Sequence, residues 1–134
     1  MITLRELKER GLGAEVFGDA EIRGVRHDSR AIEAGDLFVA IAGARADGAR
    51  FAESAVERGA VAVATERRLD LEVPQLIVAD ARRALGALAA AVYADPTREL
   101  AVVGLTGTNG KTTTAWLIDE ALRALGQQPA LLGT

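Results

Sequence analysis

The sequence predicts an α/β protein in which short apolar strands alternate with helices. Three observations carry that expectation. Aliphatic runs such as Leu37-Phe38-Val39-Ala40-Ile41 and Ala60-Val61-Ala62-Val63-Ala64 recur between stretches of helical periodicity, punctuated by glycine or proline. Hydrophobic residues make up 49% of the 134, yet aromatics only 4%, so the core must be built from Ala, Val, Leu and Ile. That suits packed α/β layers better than a small aromatic-rich barrel. Finally, Gly104-Leu105-Thr106-Gly107-Thr108-Asn109-Gly110-Lys111-Thr112-Thr113-Thr114 sets Gly-Lys-Thr between an apolar run and a helical pattern.

The elements follow in order. Thr3-Leu4-Arg5-Glu6 has the form of a capping box, so a short helix is predicted to Arg10, with Gly11 ending it. Glu21 to Arg26 alternates polar and apolar residues, the pattern of a half-buried strand, and His27-Asp28-Ser29-Arg30 forms a polar cluster at its end. Glu33 to Asp36 makes a turn into the apolar strand Leu37–Ile41. A second glycine-bearing loop, Gly43 to Gly48, leads to a helix from about Arg50 to Arg58 with Phe51, Ala55 and Val56 inward. Gly59 ends that helix, and Ala60–Thr65 returns as a strand. After a charged turn and Pro74 comes the strand Gln75–Val78. Asp80 is placed to cap a helix over Ala81–Tyr93 with Leu85, Leu88, Ala89 and Val92 inward. Asp95-Pro96-Thr97 stops that helix. The domain boundary is expected there, giving a first domain over residues 1–97 and the opening of a second over 98–134. The second should comprise a strand at Leu100–Val103, the glycine loop, a helix to Leu125 with Ile118, Ala121, Leu122 and Leu125 inward, and a strand Ala130–Leu132.

Strand, glycine-bearing turn, then Gly-Lys-Thr opening a helix is the context of a phosphate-binding loop. Glycines let several N–H groups point inward, and the helix start adds partial positive charge. Lys111 is placed to reach the β- and γ-phosphates of a nucleotide and the Thr112 hydroxyl to ligate Mg²⁺. The strict pattern wants a glycine where this chain has Leu105. The plain alternative is a turn that needs glycine for backbone reasons alone; the Lys-Thr pair, which has no packing role at a helix start, weighs against it. About 37 residues after the boundary cannot cover both faces of a parallel sheet, so either the chain is a fragment or something else covers it.

Net charge is −3 with both signs interspersed, which argues against a nucleic-acid surface. Cysteine is absent, so no disulfide or thiolate metal site is possible. Neither a signal peptide nor a membrane-spanning run is evident, and a cytoplasmic protein is expected. Plain readings exist for each single residue. His27 is the one histidine and no acid–base partner can be assigned to it. Asp28 and Arg30 can simply pair or cap a turn, Ser29 can be a turn residue, Asp47 a cap, and Glu66-Arg67-Arg68 a solvated turn. Trp116 is most simply a packing residue at the interface with missing structure.

Two stretches together are specific. Leu105 to Thr114 resembles the ATP loop of the Mur ligases, a family that tolerates a non-glycine at Leu105. Asp28-Ser29-Arg30, Gly35-Asp36-Leu37-Phe38-Val39-Ala40, Gly43 and Asp47-Gly48 resemble the N-terminal domain of its MurE and MurF branches. MurF members more usually carry Ser-Ser where this chain has Thr108-Asn109, so the MurE branch is the closer match. The resemblance implies a small N-terminal α/β domain of the MurE/MurF type, followed by the first β-loop-α-β unit of a parallel-sheet ATPase domain. It also implies ATP-dependent amide formation through an acyl phosphate, joining a diamino acid to UDP-N-acetylmuramoyl-L-alanyl-D-glutamate, by a monomer. His27, Ser29 and Ala44-Arg45-Ala46 would contact the substrate's UDP end; some members carry a histidine at Ala44. Gly107, Thr108, Asn109, Gly110, Lys111, Thr112 and Thr113 would hold ATP, with Lys111 catalytic and Thr112 on Mg²⁺. Alternatives are a non-catalytic nucleotide or UDP-sugar binding module, and a MurF ligase adding D-alanyl-D-alanine. This chain alone is not expected to be active.

Overall fold

The computed structural model describes residues 1–42 and 48–133 and divides into two compact units, Met1–Arg98 and Glu99–Thr134. The first unit runs β1 (Ile2–Thr3), α1 (Leu4–Glu9), β2 (Glu15–Phe17), β3 (Glu21–Ile22), β4 (Gly24–Arg26), β5 (Asp36–Val39), α2 (Ala52–Glu57), β6 (Ala62–Thr65), β7 (Gln75–Ile77) and α3 (Ala81–Val92). Its main sheet has the order β2-β7-β6-β5-β4, with β4 to β7 parallel and β2 antiparallel to β7. β1 and β3 pair in a separate two-stranded ribbon.

The near-continuous apolar runs are explained by burial on both faces of the sheet. Leu37, Val39, Ala62 and Ala64 point to one side, where Leu4 and Leu7 of α1 and Ala81 and Leu88 of α3 complete a core. Phe38, Ala40 and Val63 point to the other, against Ile32, Ala52 and Ala55. The expected capping box forms: Thr3 Oγ1 accepts from the Glu6 N–H at 3.2 Å, and the Thr3 N–H donates to Glu6 Oε2 at 2.7 Å. At the start of α3, Asp80 Oδ1 accepts from the Arg83 N–H at 2.9 Å, as expected. Glu66 adds a second cap, its Oε1 accepting from the Ala81 N–H at 2.9 Å. Glu66 is therefore not simply part of a solvated turn.

Several expectations need correction. The alternating run Glu21–Arg26 is two strands, because Ile22 pairs with Ile2 while Gly24 pairs with Asp36. Alternation reports which face is buried, not which strand is the partner. The second helix begins at Ala52, after a 3₁₀ turn over Gly48–Phe51, and Phe51 is exposed while Ala52 and Ala55 face the core. In the second unit, neither Leu100–Val103 nor Ala130–Leu132 is a strand. A strand exists by pairing, and among the described residues these runs have no partner; Leu100, Val102, Val103 and Leu132 are exposed. α4 (Lys111–Ala124) forms as expected, but Ala121 and Leu125 are exposed and only Ile118 and Leu122 are part-buried. Trp116 is exposed as well; its expected partner lies in structure outside this chain. Among the described residues no helix is long and apolar enough to cross a membrane.

α3 ends at a backbone turn that matters below. The Asp95 N–H donates to Ala90 O at 2.7 Å, and Ala94 and Asp95 have φ of +60° and +50°. This is the bond of a Schellman close with alanine where glycine is the usual residue. A left-handed alanine costs about 1 kcal/mol. Ala94→Gly is expected to stabilise the protein by about 0.5–1 kcal/mol, read as a raised midpoint in thermal or chemical unfolding.

Candidate functional site

In parallel α/β sheets ligands bind beyond the carboxyl ends of the strands. At that edge of the first unit, β4 delivers His27-Asp28-Ser29-Arg30 and β5 delivers Ala40-Ile41-Ala42. The expected contacts Ala44, Arg45 and Ala46 follow, and with Gly43 and Asp47 they lie outside the described residues. The chain re-enters at Gly48, packed so closely on the end of β5 that a Cβ there would sit 2.4 Å from Ile41 O and 2.7 Å from Ile41 N. Only glycine fits, so both ends of the 43–47 segment are pinned together.

His27 is exposed, and Ser29 is part-buried one residue beyond Asp28. Asp28 Oδ1 accepts from the Arg30 backbone N–H at 3.0 Å and from Arg30 Nε at 3.0 Å, and Oδ2 accepts from Nη2 at 2.7 Å. The plain reading of this pair therefore holds. Asp28 caps the 3₁₀ turn Ser29–Ala31 and Arg30 is its partner. The Arg30 guanidinium holds the Asp28 carboxyl well below the usual carboxylate range. Asp28 and Arg30 thus shape the turn that presents His27 and Ser29.

Behind the turn stands a charge network that sequence reasoning missed. Asp36 opens β5 almost fully buried. Its Oδ2 accepts from Arg26 Nε at 2.9 Å and from the Glu33 N–H at 2.9 Å, while Arg26 Nη2 donates to Glu33 Oε1 at 2.8 Å. Asp36 and Glu33 raise the Arg26 pKa, with the Asp36 hydrogen bond the larger cause. The guanidinium so ties the end of β4 to both ends of the segment leading into β5. The signal available in sequence was an aspartate directly preceding an apolar strand, which reads equally as a turn residue.

In the second unit, Gly107 and Gly110 lie at φ of +154° and +76°, and Gly110 opens α4 with no side-chain cap. Their role is conformational, since a Cβ at Gly110 would meet nothing within 4 Å. The free N–H groups of the first turn of α4 are what an anion takes up. Thr108, Asn109, Lys111, Thr112 and Thr113 are all exposed around them. Lys111 folds back over the loop, its Nζ donating to Gly107 O. Among the described residues the only non-glycine positions with positive φ are Ala94 and Asp95. Leu105 is thus in an ordinary conformation, which is why glycine is dispensable there.

A family profile described as "Mur ligase family, catalytic domain" matches residues 21–93. The chain is 45% identical over 118 residues to the UDP-N-acetylmuramoyl-L-alanyl-D-glutamate--2,6-diaminopimelate ligase of Bacillus velezensis, covering 88% of this chain and 24% of the relative. To the ligase of the same name from Geobacillus thermodenitrificans it is 47% identical over 117 residues, covering 87% and 24%. Among solved structures, MurF from Acinetobacter baumannii superposes with a TM-score of 0.73 at 35% identity, covering 90% of this chain and 27% of that one. MurF ligase from Thermotoga maritima, in complex with ADP, gives 0.60 at 30% identity, covering 76% and 23%. The chain spans about a quarter of the length of the curated relatives it matches.

Proposed function

The chain belongs to the Mur ligase family, and from that premise we propose that it opens an ATP-dependent amide ligase of the MurE type. That enzyme adds a diamino acid to UDP-N-acetylmuramoyl-L-alanyl-D-glutamate, the reaction in the names of the Bacillus and Geobacillus relatives. The observation that carries the reading is the start of α4: two glycines at positive φ, a helix start with no side-chain cap, then Lys111 and Thr112. That arrangement fits a nucleotide triphosphate, because the free N–H groups and the ammonium all favour clustered negative charge.

In this reading Gly107 to Thr113 hold the phosphates of ATP, and the ADP-bound structural relative supports a nucleotide on a chain of this kind. Lys111 neutralises charge that develops on the transferring phosphoryl group. Thr112 would offer its hydroxyl to Mg²⁺, which when bound would supply further charge neutralisation on the phosphates. The substrate carboxylate is activated as an acyl phosphate, and the incoming amine displaces phosphate to form the amide. The first unit, Met1–Arg98, is the proposed holder of the substrate's UDP end, through His27 and Ser29 and through Ala44, Arg45 and Ala46. The turn fixed by Asp28 and Arg30 supports that assignment, since it leaves Ser29 free of the capping work.

A second reading, a MurF-type ligase adding D-alanyl-D-alanine, is favoured by the A. baumannii structural likeness. The sequence relatives at 45% and 47% identity favour the first. Turnover of ATP by the full-length protein, with each amine offered beside its own acceptor nucleotide, decides between them.

A further inference from the structure

Tyr93 is the last residue before the left-handed pair Ala94–Asp95 that leads out of the first unit. Its side chain does not end at α3. Its Oη accepts a hydrogen bond from the Val25 backbone N–H at 3.1 Å, across 68 residues of chain. β4, to which Val25 belongs, is an edge strand of the main sheet and, among the described residues, has β5 as its one strand neighbour. The phenol thus takes the place of a missing strand partner on that edge.

Although 49% of Tyr93 is exposed, its hydroxyl end lies close on β4. A Cβ at Gly24 would sit 3.1 Å from Tyr93 Oη and 2.3 Å from Asp36 Oδ1. The hydroxyl and the buried carboxylate therefore close on the same glycine of β4. From there the network continues through Arg26 to Glu33, and β4 itself runs directly into His27-Asp28-Ser29. One phenol anchors the strand that presents the proposed substrate turn to the helix that ends the unit.

We propose that Tyr93 is a positioning residue: through its bond to the Val25 N–H it sets the height of β4, and so the placement of His27 and Ser29 for the nucleotide-sugar substrate. This rests on the reading of that turn as the UDP-binding edge. Tyr93 touches no substrate in this account.

The test is Tyr93→Phe in the full-length protein, which keeps the ring and removes the hydroxyl. Hydrogen exchange at the Val25 amide should speed up, and KM for UDP-N-acetylmuramoyl-L-alanyl-D-glutamate should rise about threefold to tenfold, the range one net hydrogen bond spans. KM for ATP and kcat should stay as in the parent. An unchanged substrate KM beside faster Val25 exchange would overturn the proposal, as would a parallel loss in all three parameters with a fallen melting midpoint, which marks a merely structural role. Ser29→Ala, measured in parallel, separates the two layers. If it raises the substrate KM and Tyr93→Phe does not, the positioning role is wrong and the site reading stands. If neither moves it, the site reading itself is wrong.

Discussion

Lys111→Ala in the full-length protein is expected to lower kcat for substrate-dependent ATP turnover by about 10²–10³-fold or more, the scale for losing one preorganised charge-stabilising group. Binding of the UDP-bearing substrate should be unchanged. The Lys111 side chain is exposed on the first turn of α4, and among the described residues its one bond is to Gly107 O of the loop it covers, so it carries little structural work there. Were the loop only a turn that needs glycine, the same substitution would alter an exposed residue and shift stability by less than about 0.5 kcal/mol, with turnover intact. Steady-state kinetics beside a thermal melt distinguishes the two, since the account requires lost turnover with an unshifted melt.

Arg26→Leu should produce the largest loss of stability among these variants, read as a lowered midpoint in chemical denaturation. The Arg26 side chain is partly exposed, but its partner Asp36 is buried and would keep its charge with a donor lost. Among the described residues, Asp36 would then retain the Glu33 N–H as its carboxylate's donor. The cost comes from the charge left behind, so the double variant Arg26→Leu/Asp36→Asn should recover part of it, because asparagine can still accept from Glu33 without carrying charge. A double variant no more stable than Arg26→Leu would contradict that explanation.

Much of this molecule could be read before its structure was known, for identifiable reasons. Capping is local chemistry, so Thr3 with Glu6 and Asp80 with the start of α3 were plain in the residues themselves. The strands β5 and β6 were legible because burial on two faces leaves an unbroken aliphatic run. β2 was not, since Glu15-Val16-Phe17 carries no alternation and owes its existence to β7. The runs at Leu100 and Ala130 mark the opposite error: an apolar stretch signals a wish for burial and cannot supply a neighbour. Phe51 was assigned to the core from helical spacing, but the helix starts one residue later and turns that ring outward. In the candidate site, the loop and the Asp28-Ser29-Arg30 turn were visible because the order of their residues along one short stretch is itself the signal. The Arg26–Asp36–Glu33 network and the Tyr93 bond were not. They join residues 3 to 68 positions apart whose types are ordinary on any surface.

Phosphate release from ATP by the full-length protein is the most direct test, measured with UDP-N-acetylmuramoyl-L-alanyl-D-glutamate plus a diamino acid, and separately with the same nucleotide already carrying 2,6-diaminopimelate plus D-alanyl-D-alanine. Release is expected only with the first pair, both members present, with one amide formed per phosphate. Turnover with the second pair alone would replace the MurE-type reading by the MurF-type one, and binding of the nucleotides without turnover with either pair would contradict the assignment as a ligase.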